Sequence, residues 1–316
     1  MQPANHPQES HGSALITALF IMTLIAIAAT AMSNRLQLDI YQTKMSIQSD
    51  TLYLASESVT FWAMDTLSSP KNRFSKPLKT NLIALFPKAQ ATTYPQVTLT
   101  GKLYDLQALF NINNLQDKKY HPVFLTLLTQ IAPKMAQKER RQLLDSIVYW
   151  ISPYQPERGH DEGLSYYMEQ IPPYLPAYQS LQSLSELRLI HGVTETIYQT
   201  LEPYLTALPE VTPVNINTSP KRLIQSLGEG ISDTQFDELL EARGDTGIRT
   251  LKKLYEILPK LRIPLEDVSI DSTYFLCIAT ARGSDLETTT YTIIKRSNDR
   301  KGHISIGIVR QSLNTW

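Results

Sequence analysis

The chain has 316 residues and carries 30 Lys and Arg against 30 Asp and Glu, a formal net charge of zero. That balance gives no global basic surface for nucleic acid or an anionic membrane face. Cys277 is the only cysteine, which excludes an intrachain disulfide and a metal site built on several thiolates. The length allows two soluble domains beside a membrane helix. Nineteen prolines against twelve glycines predict ordered but loop-rich connections.

The first strong signal is Ser13 to Met32, a run without one charged residue, Gly or Pro. At about 1.5 Å rise per residue such a helix covers roughly 30 Å, the thickness of a bilayer's hydrocarbon core. Gly12 precedes it, and no Gly or Pro recurs until Pro70. One helix therefore runs from Ser13 to about Ser69, its first third in lipid. A short polar leader ending in Gly, followed by a long apolar helix that continues into a soluble domain, resembles the N-terminus of type IV pilin-like proteins.

Three readings of this end compete. A prepilin-type signal is cut after Gly12 and leaves Ser13 as the mature first residue. A secretory signal peptide is cut at Ala29-Thr30-Ala31. An uncleaved anchor keeps everything. The run exceeds the 7–15 residues usual for a secretory signal core, and the prepilin reading explains the Gly and the uninterrupted helix together. Residues 1–12 contain Glu9 and no Lys or Arg, a departure from the positive excess of cytoplasmic flanks.

The fifth residue counted from Ser13 is Thr17. Major pilin-type subunits resemble one another in a Glu there, whose carboxylate meets a neighbouring subunit's terminal amine inside an apolar bundle. A buried charge without a partner is costly, so a subunit with nothing above it gains by lacking the acid. A Thr satisfies its hydroxyl on its own helix. Thr17 thus points to the end of a filament, or else is simply a tolerated residue in an ordinary anchor. Further along, Tyr41, Met45, Leu52, Ala55, Val59 and Trp62 share one stripe, with Asp39, Lys44, Asp50 and Glu57 off it, and the stripe is expected to pack on a sheet.

Residues 70–95, with four prolines, read as a loop with a helical turn at Leu82–Phe86. Strict alternation predicts a strand over 97–104, and again over Tyr274–Ala281, Thr289–Arg296 and His303–Arg310. Between them the pattern is helical over Pro122–Ile131, Lys138–Ile151, Ser183–Ile190, Thr194–Leu205, Ser219–Leu227, Ser232–Arg243 and Leu251–Leu258. Ser232 and Asp233 are N-cap candidates and Gly228 a terminator. A helical insert thus interrupts, rather than follows, an antiparallel α+β domain.

Three segments carry a closer resemblance. They are Tyr104-Asp105-Leu106-Gln107-Ala108-Leu109-Phe110-Asn111-Ile112-Asn113-Asn114-Leu115, Leu184-Ser185-Glu186-Leu187-Arg188-Leu189-Ile190-His191-Gly192-Val193, and Val214-Asn215-Ile216-Asn217-Thr218-Ser219. With Thr17 they fall in the order found in the K-class minor pseudopilins of the type II secretion system, which the chain resembles over most of its length. The resemblance implies a pilin-like long N-terminal helix packed on an antiparallel sheet, interrupted by a large helical domain similar to SAM and helix-hairpin-helix folds. The segments are then a leader over 1–12, a transmembrane part over 13–33, pilin-like residues 34–110, an inserted domain over 111–271 and closing strands over 272–316. It further implies a non-enzymatic subunit at the tip of the pseudopilus, anchored by one pass in the inner membrane with its soluble domains in the periplasm. Implied partners are minor pseudopilins of the I and J classes, the major pseudopilin and a prepilin peptidase. The alternatives are a minor pilin of a type IV pilus and an anchored periplasmic binding module.

No G-x-S-x-G, H-E-x-x-H or P-loop is present, and the six His are scattered. Asn111, Asn113, Asn215 and Asn217 read as turn and capping residues, and Cys277 as a small core residue. The resemblance also implies calcium, held by a first acidic stretch and a following Gly-acid segment. Here the first stretch is Tyr149-Trp150-Ile151-Ser152-Pro153-Tyr154, with Tyr149, Ser152 and Tyr154 where the family has acids. Only Asp161 and Glu162 keep acids in the second, so calcium binding is expected to be lost or much weakened. Leu227-Gly228-Glu229-Gly230-Ile231 resembles a helix-hairpin-helix loop, but from Gln225 to Asp245 six acids face one base, Arg243. Phosphate binding needs cations, so this is expected to be a packing module with no nucleic acid.

Overall fold

The computed structural model describes residues 11–70, 72, 81–88, 96–154, 162–299 and 302–315. The expected long helix is present: α1 spans His11–Ser68, 58 residues. Residues 1–52 and 53–316 form two compact units.

In the first unit every residue from Ser13 to Lys44 is exposed. The most apolar window of the helix reaches a mean hydropathy of 2.4 with none of it buried. This helix is long and apolar enough to cross a membrane. Tyr41, placed on the packing stripe by its spacing, is instead 60% exposed. Periodicity reports an apolar face and not what covers it.

In the second unit the last part of α1 lies on a five-stranded antiparallel sheet. Its strands are β1 (Leu82–Leu85), β2 (Thr98–Asp105), β7 (Tyr274–Arg282), β8 (Glu287–Asn298) and β9 (Ile304–Leu313), in the order β1-β2-β7-β8-β9. The helix meets the sheet through Ala55, Ser56, Val59, Thr60, Ala63 and Leu67, each at most 1% exposed. Small residues let the two backbones approach. Ser56 Oγ lies 2.7 Å from Thr290 Oγ1. Gly101 in β2 faces Val59, and a Cβ built there would overlap Val59 Cγ1 and lie 2.8 Å from Phe86 Cβ. Trp62, expected on the stripe, is half-buried and edge-to-face on Phe86 at 5.5 Å.

The turn expected at Leu82–Phe86 is the edge strand β1, paired antiparallel with β2. A four-residue apolar run does not distinguish strand from helix, and here the free edge of β2 supplied the hydrogen bonds.

The insert leaves the sheet after β2 and returns at β7. These strands are neighbours, with Asp105 opposite Phe275. The ends of the inserted segment therefore meet, and its length costs the sheet no register. Its α-helices are α2 (His121–Ile131), α3 (Gln137–Ile151), α4 (Glu162–Met168), α5 (Glu195–Leu201), α6 (Lys221–Gln225), α7 (Asp233–Arg243) and α8 (Leu251–Leu261). Helix α4 is additional to those the pattern predicts. Ser183–Ile190 forms a 3-10 turn over Leu184–Leu189, started by the Ser183 and Glu186 capping box. The predicted helix through Leu205 ends early, because Leu205–Thr206 (β4) pairs in parallel with Phe110–Asn111 (β3). A second parallel pair joins Val214–Asn215 (β5) to Val268–Ser269 (β6). One apolar core runs from Phe110 to Ile270 through all the helices.

The insert also covers part of the sheet face away from α1. Leu106 and Leu208 pack there with Tyr274, Leu276 and Ile293. Each such buried Leu or Ile contributes about 1.5–3 kcal/mol.

Candidate functional site

The residues expected to carry processing lie at the start of α1. Gly12 and Ser13 lie in the first turns of α1, and residues 1–10 fall outside the described residues. Thr17 Oγ1 donates to the Ser13 carbonyl at 2.8 Å. Its hydroxyl is thus satisfied within its own helix and needs no neighbour in an apolar bundle.

The insert is fastened to the sheet by buried polar groups that the sequence pattern did not single out. Asp105, at the end of β2, is fully buried. Its Oδ1 accepts from the Gln107 amide at 2.9 Å. Its Oδ2 accepts from Thr218 Oγ1 at 2.6 Å, Ser272 Oγ at 2.7 Å and Asn215 Nδ2 at 3.1 Å. Burial pushes the carboxyl above the usual range, against the opposing hydrogen bonds of Thr218, Ser272, Gln107 and Ala108. The alternation of β2 was the available signal, since residue 105 shares the inward parity of Leu99, Gly101 and Leu103. Gln107 adds to the joint: its Oε1 accepts from the Thr273 and Tyr274 amides and its Nε2 donates to Pro213 O at 3.0 Å. On the sheet surface Glu210 Oε1 accepts from Tyr274 Oη at 2.6 Å and Lys295 Nζ at 2.7 Å. The Lys295 and Tyr274 hydrogen bonds hold the Glu210 carboxyl below its usual range.

The four asparagines form two matching clasps, one at each parallel strand pair. Asn111 Oδ1 accepts from the Asn113 amide at 3.2 Å, and Asn215 Oδ1 from the Asn217 amide at 3.0 Å. These are the turn contacts expected of them. Both asparagines of each pair also reach distant segments: Asn111 Nδ2 donates to Glu210 O at 2.8 Å and Asn215 Nδ2 to Ser272 Oγ at 2.7 Å. Asn113 Nδ2 donates to Leu181 O and Leu208 O, both at 2.9 Å, while its Oδ1 accepts from Leu181 N at 2.8 Å. Asn217 Nδ2 donates to Ile248 O at 2.9 Å and Ile270 O at 3.1 Å, and its Oδ1 accepts from Ile248 N at 2.8 Å. The buried amides of Asn113 and Asn217 thus each tie two distant backbone segments through both N–H donors and the carbonyl oxygen.

The stretch for which resemblance implied calcium is aromatic. Tyr149 stacks on Tyr167 with centroids 6.3 Å apart and 12° between planes, and its hydroxyl lies 2.9 Å from that of Tyr178. A Cβ built on Gly163 would lie 3.0 Å from the Tyr149 ring. The ring thus fills the space where α4 approaches α3. Burial pushes the Tyr167 phenol up to about 12, so it stays neutral. Calcium requires six to eight oxygens, several of them carboxylate. Among the described residues no three His, Cys, Asp or Glu come together in a way that suits a metal ion. Asp161 and the side chain of Glu162 lie outside the described residues. The donors that are described do not fit calcium.

The hairpin at Gly228 and Gly230 has the left-handed backbone expected of glycines, with φ of 59° and 94°. Arg243, the single base of that stretch, is 5% exposed, and burial pushes its guanidinium down to about 10. Glu229 is exposed. The hairpin therefore offers solvent an acid, Glu229, which pairs with the exposed Arg262 at 3.5 Å, while Arg243 is withdrawn into the core, a poor arrangement for phosphate. Cys277 is fully buried on the sheet with its thiol pushed up to about 12, chiefly by burial and then by Glu57. It has the surroundings of an inert core thiol.

Comparison with known proteins adds to this geometry. A family model described as type II secretion system protein K, first part, matches residues 108–210, and a second model of type II secretion system protein K matches residues 214–271. Together they span about half of the chain, and one asparagine clasp stands near the start of each match. The chain is 29% identical to the type II secretion system protein K of Aeromonas hydrophila over 326 residues, 92% of this chain and 94% of that protein. It is 28% identical to that of Klebsiella pneumoniae over 260 residues, 77% of each chain. Among solved structures it resembles one chain of the GspK-GspI-GspJ complex from the type 2 secretion system of enterotoxigenic Escherichia coli. The TM-score is 0.67 at 21% identity, over 87% of this chain and 100% of that one. At that identity the likeness is one of fold.

Proposed function

We propose that this chain, which belongs to the type II secretion system protein K family, acts as the minor pseudopilin that ends a pseudopilus. The observation that carries this reading is at Thr17. The position where a stacked subunit would offer a carboxylate to a neighbour's terminal amine holds a hydroxyl already bonded to Ser13 O.

Two further features support it. The exposed apolar helix gives parallel neighbours a surface to pack on. In the second unit Leu54 and Phe61, one heptad apart, keep 59% and 65% exposure on α1. The insert is held to the sheet by the Asp105 joint and by Glu210, so it moves with the pilin-like body and occupies space a subunit stacked above would need. In this proposal the helix is anchored in the inner membrane by a single pass, with the soluble unit in the periplasm. Prepilin peptidase cuts after Gly12, and the partners are I- and J-class minor pseudopilins together with the major pseudopilin. The chain acts by assembly and not by catalysis.

The test is an epitope placed in an exposed insert loop, located on assembled pseudopili by immunogold. Label confined to filament ends is the expected result, and label along the shaft overturns the proposal. N-terminal sequencing of the mature protein should begin at Ser13.

A further inference from the structure

The aromatic cluster carries an inference that does not rest on the reading of filament position. The helix end at Tyr149 and Trp150 is tied to α4 at Tyr167 and to the following segment at Tyr174 and Tyr178. Trp150 lies 5.5 Å from Tyr167 and 6.3 Å from Tyr174. Tyr154 and Tyr178 rings are 5.1 Å apart. The hydroxyls are engaged as well as the rings. Tyr167 Oη accepts from the His191 amide at 3.3 Å, and Tyr174 Oη donates to Leu189 O at 2.9 Å.

Tyr178 has φ of 49°, the left-handed region that bulky residues avoid. Such a conformation persists only when its surroundings over-determine it. Here the ring is held edge-on to Tyr149 at 5.8 Å, and its hydroxyl is bonded to that of Tyr149. Tyr149 and Tyr154, which stand where the resemblance implies acids, are thus the ones that hold Tyr178. Aromatic pairs of this geometry stabilise beyond the area they bury.

We infer that in this chain a clip of tyrosine rings, centred on the Tyr149–Tyr178 hydroxyl pair, takes the place of a divalent cation in tying α3 to α4 and residues 174–178. A cation joins segments by sharing carboxylates among them. The rings join the same segments by stacking and by neutral hydrogen bonds, and so keep the joint closed without metal.

The experiment uses the full chain in detergent. Melting temperature is measured in chelator and in calcium, and terbium emission is excited through tyrosine. The expected result is a calcium shift below about 2 °C and no saturable terbium emission that calcium displaces. A larger stabilisation by calcium, or saturable emission chased by calcium, overturns the inference. Tyr149→Ala should speed proteolytic cleavage between α3 and α4 by about tenfold, with calcium giving no rescue. An unchanged cleavage rate, or rescue by calcium, overturns it. Tyr149→Phe and Tyr178→Phe keep the rings and guard against failure of the alanine variant to fold. Each should lower the melting temperature, and the double variant should fall no further than the lower single, because one bond is lost in all three. Unchanged melting in both single variants overturns the inference.

Discussion

Asp105 Oδ2 accepts a 2.7 Å hydrogen bond from Ser272 Oγ across 167 residues of chain. The first stands where the chain leaves the sheet and the second just before it returns. Asn215 and Thr218 bond to the same oxygen, so one carboxylate joins the exit, the return and the middle of the insert.

Asp105→Ala should therefore lower stability by about 2–4 kcal/mol, since it removes the acceptor of four buried donors at once, the Gln107 amide, Asn215, Thr218 and Ser272. The pH dependence has a definite sign. Burial raises the folded carboxyl above the 3.8 of an ordinary aspartate. Its contribution is fully present below that value and is lost as pH rises through the raised folded value. Urea unfolding of Asp105→Asn against the unmodified chain across this window should show a difference that shifts in favour of Asn as pH rises. A pH-independent difference refutes this.

Gly101→Val should cost about 3 kcal/mol, because the new side chain must push Val59 and Phe86 off the helix–sheet seam. Gly307→Ala in β9 is the control. Nothing lies within 4 Å of its built Cβ, and its effect should stay within about 0.5 kcal/mol. Thermal melts of the two variants check the contrast.

Cys277 should resist thiol reagents in the folded protein, since it is buried with its thiol near 12. It is the only cysteine, so labelling kinetics in graded denaturant report the opening of the sheet directly. Rapid labelling under native conditions would contradict the burial.

Thr17→Val should leave exoprotein release within about twofold of normal, because the lost hydroxyl bonds only within its own helix. Thr17→Glu should reduce release several-fold, a carboxylate in an apolar segment costing about 2.5–3.5 kcal/mol. Enzyme activity in culture supernatants measures both. Equal loss from the two variants would remove Thr17 as support for a terminal position.

What could be read from the chain alone is what is local. The length and composition of Ser13–Met32 determine a spanning helix, because the rise per residue is constant. Alternation over Tyr274–Ala281 and helical spacing over Lys138–Ile151 report which side chains share a face. Motif order placed the chain in its family, and the Asn turns at 111–113 and 215–217 followed from side-chain length.

What covers each face was decided only by the tertiary structure. The stripe that should have included Tyr41 is buried instead through Ala55, Val59, Ala63 and Leu67. Leu82–Leu85 became a strand because β2 offered an open edge. Asp105, Gln107 and the clasping roles of Asn113 and Asn217 depend on partners tens to more than a hundred residues away. Tyr149 and Tyr154 read only as missing acids until Tyr178 and Tyr167 stood beside them. An amide, carboxyl or phenol has the same appearance in sequence whether solvated or buried. Only folding brings the partner that decides between the two.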